Sequence, residues 1–191
     1  MQAMTQAYPI GFRAAEPWQV AETPAEYVVR RKVFLDTTIP SYLTTRLSEN
    51  AGIARHQRIT RTWWDLHRHR FAIYVSQLVL DEARAGDPAA AQRRVEFLEQ
   101  FTLLDSNNRI EGLAKELVRS GGLPTKAISD ASHLATASLN DLPYLLTWNC
   151  KHLANPQLFP RVKKVLETRG LRCPTICTPE HIMEHVENDR P

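Results

Sequence analysis

Five short runs rich in β-branched and apolar residues, each separated from the next by a stretch of helical length, constrain this chain more than any other feature. The runs are VFLDTT (33–38), FAIYVS (71–76), FTLLD (101–105), PYLLTW (143–148) and CPTIC (173–177). Each is shorter than a typical helix, so each reads as a buried strand. Between them, residues 54–69, 76–85, 88–99, 108–119, 125–139 and 156–168 have helical length or spacing, with Ser76 and Thr125 placed as N-caps. Strands that alternate with helices are joined by crossovers, which makes the sheet parallel and covers both its faces. The expected fold is α/β: a three-layer α/β/α sandwich around a central, mainly parallel sheet. At 191 residues the chain makes one domain and buries roughly 70% of its unfolded surface.

Residues 1–31 contain Pro9, Pro17 and Pro24 without sustained periodicity and read as an irregular arm. Residues 32–185 then form the folded domain and 186–191 a tail. With 43% hydrophobic and 24% charged residues, wholesale disorder is excluded. No apolar run approaches the ~20 residues of a bilayer span, and no basic-then-apolar leader opens the chain, so a cytoplasmic protein without a membrane partner is expected. Cys150, Cys173 and Cys177 are too few for a disulfide framework, and the C-x3-C spacing of the last two is a poor zinc signature. They read as reduced, partly buried thiols. The seven glycines form neither a dinucleotide fingerprint nor a phosphate loop. There is no G-x-S-x-G or H-E-x-x-H, and Cys150 has no evident triad.

The acids carry the chemical signal. In a parallel sheet, functional groups gather outside the carboxyl ends of the strands, and Asp36 follows Val33, Phe34 and Leu35 with no polar residue between. It is either the N-cap of a turn into residues 39–43 or a ligand held at the edge of the core. In SQLVLDEARAGD (76–87), Glu82 continues the apolar stripe of Leu78 and Val79, whereas Asp81 shares the opposite face with Gln77 and Ala85. Helical phase therefore turns Glu82 inward and Asp81 outward. In KAISDASHLATASL (126–139), Asp130 lies on the face of Ala127, Leu134 and Ala137. A buried carboxylate costs several kcal/mol unless a cation, dense hydrogen bonding or protonation compensates it. Three such acids with no His/Cys cluster match the oxygen preference of Mg²⁺ or Mn²⁺ better than zinc. His133 reads as a supporting or packing histidine, and Asn149, directly after YLLTW, as a turn residue or a weaker oxygen ligand. A carboxylate-held metal suits hydrolysis of a phosphodiester.

The net charge of +3 is too small to identify a polyanion binder, but its distribution is uneven. Residues 1–70 carry 10 Lys/Arg against 6 Asp/Glu, residues 71–141 carry 7 against 10, and residues 142–191 carry 7 against 5. In ARHQRITRTWWDLHRHR (54–70), the spacing of Arg55, Arg58 and Arg61 brings them to one side of a helix, either as a path for a phosphate backbone or as a solvated face. Trp63 and Trp64 read as core or dimer anchors rather than base-stacking platforms.

VFLDTTIPSYL, the Glu82 helix, SDASHLATA and YLLTWNCKHLAN together resemble, in order and spacing, the PIN-domain proteins, especially the VapC family of toxin ribonucleases. The resemblance runs from about Lys32 to about His185. It implies a PIN-like α/β/α nuclease fold and Mg²⁺- or Mn²⁺-dependent endoribonuclease activity that leaves 5′-phosphate and 3′-hydroxyl ends. It also implies homodimerisation and neutralisation by a cognate antitoxin of a type II toxin–antitoxin pair. By this resemblance Asp36, Glu82 and Asp130 are the catalytic, metal-binding acids. Asn149 stands where many relatives have a fourth acid, which makes a second metal site weaker. Thr147, Thr37 and His133 support the acids. The departure at Asn149 also motivates an alternative, a catalytically weak or inactive PIN module that binds RNA or an antitoxin. A different Mg²⁺ phosphohydrolase is less suited, since Asp36-Thr37-Thr38 lacks the second acid of a D-x-D motif.

Overall fold

The computed structural model describes residues 30–188. The arm expected over residues 1–31 lies outside them except for Arg30 and Arg31, and Arg31 already opens the first strand. All five apolar runs are strands: β1 (Arg31–Leu35), β2 (Phe71–Ser76), β3 (Thr102–Leu104), β4 (Tyr144–Leu146) and β5 (Thr175–Cys177). They form one sheet in the order β3-β2-β1-β4-β5, and every pair is parallel. The helices are α1 (Thr38–Thr44), α2 (Ala51–His67), α3 (Gln77–Ala83), α4 (Pro88–Leu98), α5 (Asn108–Arg119), α6 (Ile128–Leu139), α7 (Phe159–Thr168) and α8 (Pro179–Asn188). They contact one another in two sets, with α1, α2, α3, α4 and α8 in one and α5, α6 and α7 in the other. The fold is an α/β sandwich on an all-parallel sheet.

The strand order carries the functional consequence. From β1 the chain builds outward through β2 and β3, then returns to place β4 on the opposite side of β1. That reversal lies between β1 and β4, and in open parallel sheets ligands bind in the crevice outside the carboxyl ends of the strands at such a point. Register aligns Leu35 with Leu146, so the residues just beyond, Asp36 and Thr147, emerge side by side into that crevice. Val33, Phe34, Leu35, Leu145 and Leu146 are fully buried, as two-sided coverage of a central strand requires.

Two strands stop earlier than their apolar runs because their backbone groups turn to other partners. The Asp36 amide donates to the Leu146 carbonyl at 3.2 Å, but its carbonyl accepts from the Ile39 amide at 3.2 Å and starts α1. After β4, the Trp148 amide donates to Thr38 Oγ1 at 2.9 Å. The turn expected after Asp36 is thus a helix, and its Pro40 sits in the first turn, where no amide hydrogen is needed. The sequence reading also lacked α8, although Thr178 and Pro179 form a readable start: Thr178 Oγ1 accepts from the His181 amide at 3.3 Å. Ser76 caps α3 through the Val79 amide at 3.4 Å. Thr125 does not cap; it opens a single 3-10 turn, and α6 begins at Ile128 without a side-chain cap. At the far end of α7, Gly170 takes φ +66°. It closes a Schellman motif in which the Gly170 and Leu171 amides donate to the Glu167 and Leu166 carbonyls, each at 2.9 Å.

Candidate active site

Asp36 is 3% exposed, and its two oxygens are fixed by neighbours from both strands of the crevice. Oδ1 accepts from the Thr38 amide at 2.9 Å and the Thr38 hydroxyl at 2.5 Å, and Oδ2 from Thr147 Oγ1 at 2.5 Å. Thr147 is itself fully buried and accepts from the Asn149 amide at 2.8 Å. Burial pushes the Asp36 carboxyl above the usual aspartate range; the charge of His133 and the hydrogen bonds from Thr147 and Thr38 oppose this without reversing it. The fold therefore holds, at the end of its central strand, a carboxylate whose negative charge is undercompensated by the protein.

Glu82 reaches the same region from α3. Helical phase acts as expected: Asp81 is exposed and pairs with Arg84 at 2.6 Å, while Glu82 is half-buried. Its carboxylate accepts from the hydroxyls of Thr37 and Ser129 and meets His133 Nε2 at 3.1 Å. Burial pushes the Glu82 carboxyl up, but the hydrogen bond and charge of His133, with the two hydroxyls, outweigh it and hold the group at about 2. His133 is 3% exposed, with its ring centroid 5.9 Å from that of Phe34. Burial disfavours its charge, yet Glu82 first, then Asp36 and Asp130, raise its basicity above the ordinary histidine value. One buried imidazole thus feels all three acids. Among the described residues its Nδ1 has no hydrogen-bond partner.

Asp130, in the first turn of α6, is held from the segment after β4. Asn149 Nδ2 donates to its Oδ1 at 2.7 Å, and His152 Nδ1 lies 2.8 Å from its Oδ2. The His152 amide in turn donates to Asn149 Oδ1 at 3.2 Å. Sequence reasoning missed Thr38, Ser129 and His152. His152 had a signal, since a histidine three residues beyond Asn149 in a turn can fold back on whatever Asn149 touches. Thr38 and Ser129 had none, because hydroxyls beside acids are common at helix starts.

The donor set suits a hard divalent cation in chemistry: three carboxylates and one amide oxygen. Asp36 Oδ2, Glu82 Oε1 and both Asp130 oxygens accept one hydrogen bond each, which leaves each a lone pair for a metal. Yet among the described residues no three His, Cys, Asp or Glu side chains form a ready-made metal cage. Like charges repel, and each acid is satisfied by its own hydroxyl, amide or imidazole donors, so ligation requires the acids to draw together.

The arginines proposed from helical spacing are turned apart. Arg55 pairs with Glu180 on α8 at 2.7 Å, Arg58 is exposed, and Arg61 donates to the Thr45 carbonyl at 2.6 Å. Trp63 is fully buried, and Trp64 packs on Phe97 with 4.8 Å between centroids. All three cysteines are free thiols; burial raises Cys173 to about 11 and Cys177 to about 12, which keeps both protonated and unreactive. No helix among the described residues is long and apolar enough to cross a membrane.

No family model and no curated protein matches the sequence. Among solved structures, the chain is similar to one in the crystal structure of VapBC2 from Rickettsia felis bound to a DNA fragment from their promoter. The TM-score is 0.51 at 17% identity, over 77% of this chain and 98% of that one. At this identity the likeness is one of fold alone. Weaker matches, both with a TM-score of 0.44, are to VapC20 of Mycobacterium tuberculosis, a Sarcin-Ricin loop cleaving toxin, and to VapBC-1 of nontypeable Haemophilus influenzae. The first is 18% identical over 59% of this chain and 86% of that one; the second is 22% identical over 70% and 93%.

Proposed function

We propose that this protein is a Mg²⁺- or Mn²⁺-dependent endoribonuclease, acting in the cytoplasm as the toxin of a type II toxin–antitoxin pair. The observation that carries the reading is Asp36: a buried carboxylate at the crevice of a PIN-like sheet, with its charge undercompensated and two further acids grouped around the same imidazole. Asp36, Glu82 and Asp130 would hold the metal, with Asn149 Oδ1 as a weaker ligand. When bound, the metal supplies a nucleophile from water near neutral pH and offsets charge on the phosphoryl oxygens. The chain's own residues set the stage for that chemistry. Thr38 and Thr147 fix the rotamer of Asp36 and leave Oδ2 a lone pair for a cation. His133 orients Glu82 and keeps it ionised, while Asn149 and His152 aim Asp130. Such outer contacts commonly govern metal affinity and activity 10- to 100-fold. The partners that go with this function are an RNA substrate, a cognate antitoxin protein and a second copy in a homodimer.

The test is cleavage of RNA by purified protein in Mg²⁺ or Mn²⁺, with Asp36→Asn and Asp130→Asn in parallel and the product ends mapped. Wild-type cleavage that leaves 5′-phosphate ends, abolished by either substitution and by EDTA, is expected. Absence of metal-dependent cleavage, or cleavage that survives both substitutions, defeats the proposal. A second reading, a module that binds RNA or an antitoxin without cutting, draws on Asn149 and His152, which occupy both oxygens of Asp130. It expects salt-sensitive RNA binding that persists in EDTA, and no cleavage at any metal concentration.

A further inference from the structure

A pocket built of carboxylates repels the phosphates on either side of the one to be cut. A ribonuclease of this design must therefore hold its substrate with cations set outside the acids. Arg55 and Arg84 are committed to Glu180 and Asp81. One open hollow, of about 690 Å³, is different: it is lined by Leu43, Thr44, Thr45, Arg46, Arg61 and Arg93. Three arginines line it and no carboxylate does. Among the described residues, none of the three arginines is ion-paired. By contrast, the hollow beside Arg109, Arg119 and Arg169 includes Glu116, which pairs with Arg169 at 2.7 Å.

Three separate elements build the basic hollow. Arg46 follows α1, Arg61 comes from α2 and Arg93 from α4, and α1 packs on both other helices. Arg61 is half-buried and anchored, its Nη2 donating to the Thr45 carbonyl at 2.6 Å. Thr45 is braced in turn, its hydroxyl donating to the Ser41 carbonyl at 2.7 Å and accepting from Gln57 Nε2 at 2.9 Å. A guanidinium fixed in this way loses little entropy on meeting an anion, and its planar fork matches phosphate oxygens in pairs. Position links the hollow to the acids. The helix α1 starts two residues after Asp36 and has 7 residues, a length of about 10 Å. The hollow lies at its far end, within reach of the same strand.

We propose that the Arg46–Arg61–Arg93 hollow binds the phosphodiester backbone of single-stranded RNA next to the scissile bond. This rests on the endoribonuclease reading for the identity of the strand. Regularly spaced anionic groups along one flexible chain fit three guanidinium groups at the end of a helix that begins at the acids. Binding is sequence-independent there, because phosphates carry no base information.

The test is titration of a labelled single-stranded RNA oligonucleotide in EDTA, across a series of salt concentrations. Each phosphate contact contributes about 0.7 to the slope of log K against log salt for a single strand. Arg46→Gln/Arg61→Gln/Arg93→Gln should therefore lower the slope by about 2 and weaken binding about 100-fold at 0.1 M salt, with convergence near 1 M. Because Arg61 braces the end of α1, the Arg46→Gln/Arg93→Gln pair is measured too; both side chains are exposed, and about a 25-fold loss is expected. Arg109→Gln/Arg119→Gln serves as the control and leaves binding within about twofold. An unchanged slope in both hollow variants overturns the proposal, as does a polyglutamate peptide that binds the hollow as tightly as RNA. If wild type cleaves RNA but the hollow variants bind normally, only the hollow fails. If the variants lose RNA binding but wild type never cleaves, the nuclease reading fails and the hollow stands.

Discussion

Replacing Asp36 by asparagine should make the metal-free protein more stable. Asp36 is 3% exposed, and burial raises its carboxyl above the usual 3.8 despite three hydrogen bonds. The sign follows directly. A folded-state pKa above the unfolded one means the protonated form is favoured by folding. That contribution is fully present below about pH 3.8 and is lost as pH rises through the folded value, so at neutral pH the ionised group costs stability. Asparagine keeps the shape and an oxygen for Thr38 and removes the charge, which is worth about 1–2 kcal/mol by analogy with other buried charges. For a domain of this size that is a rise in Tm of about 2–8 °C. Mg²⁺ at 100 times its Kd adds about 2.7 kcal/mol to a protein that binds it, or about 5–11 °C for wild type and little for the variant. The order of stabilities therefore inverts with metal: the variant melts higher in EDTA, and wild type melts higher in saturating Mg²⁺. Circular dichroism melts at pH 7.5, with and without metal, measure both. At pH 3 the advantage of the variant should shrink as wild-type Asp36 protonates. A variant less stable than wild type in EDTA, or equal stabilisation of both proteins by Mg²⁺, would refute the reasoning.

Two further outcomes follow from the same pocket. Glu82, held at about 2 by His133, Ser129 and Thr37, contributes stability that is present above about pH 4.5 and is lost as pH falls towards 2. Urea unfolding should accordingly show a steeper acid limb for wild type than for Glu82→Gln in that window, and parallel limbs would contradict the assignment of this pair. Asn149→Asp exchanges the 2.7 Å amide bond to Asp130 for a pair of like charges. It should lower the metal-free Tm by a few degrees and tighten Mg²⁺ binding by about tenfold, read by calorimetric titration; unchanged affinity would mean that position 149 does not face the cation.

What could be read from the sequence was whatever a single element decides. The phase of α3 fixes Glu82 inward and Asp81 outward within two turns of helix, and the apolar run ahead of Asp36 fixes its place at a strand end whatever lies beside it. What could not be read needs the topology. Helical spacing put Arg55, Arg58 and Arg61 on one side of α2, but tertiary neighbours divide them: α8 takes Arg55 through Glu180, and the end of α1 takes Arg61 through the Thr45 carbonyl. Arg93 lies 32 positions beyond Arg61, so no local pattern could have joined it to the same hollow. The contact of His152 with Asp130 has the same origin, because it forms only once β4 is inserted beside β1. That insertion is the decisive step. It brings Thr147 to Asp36 and Asn149 to Asp130 in one movement, so the site is completed by the strand that reverses the order of the sheet. Any change that shifts the Leu35–Leu146 register by one residue would turn Thr147 to the other face of the sheet and separate all of these pairs together, while the hollow formed by α1, α2 and α4 would remain.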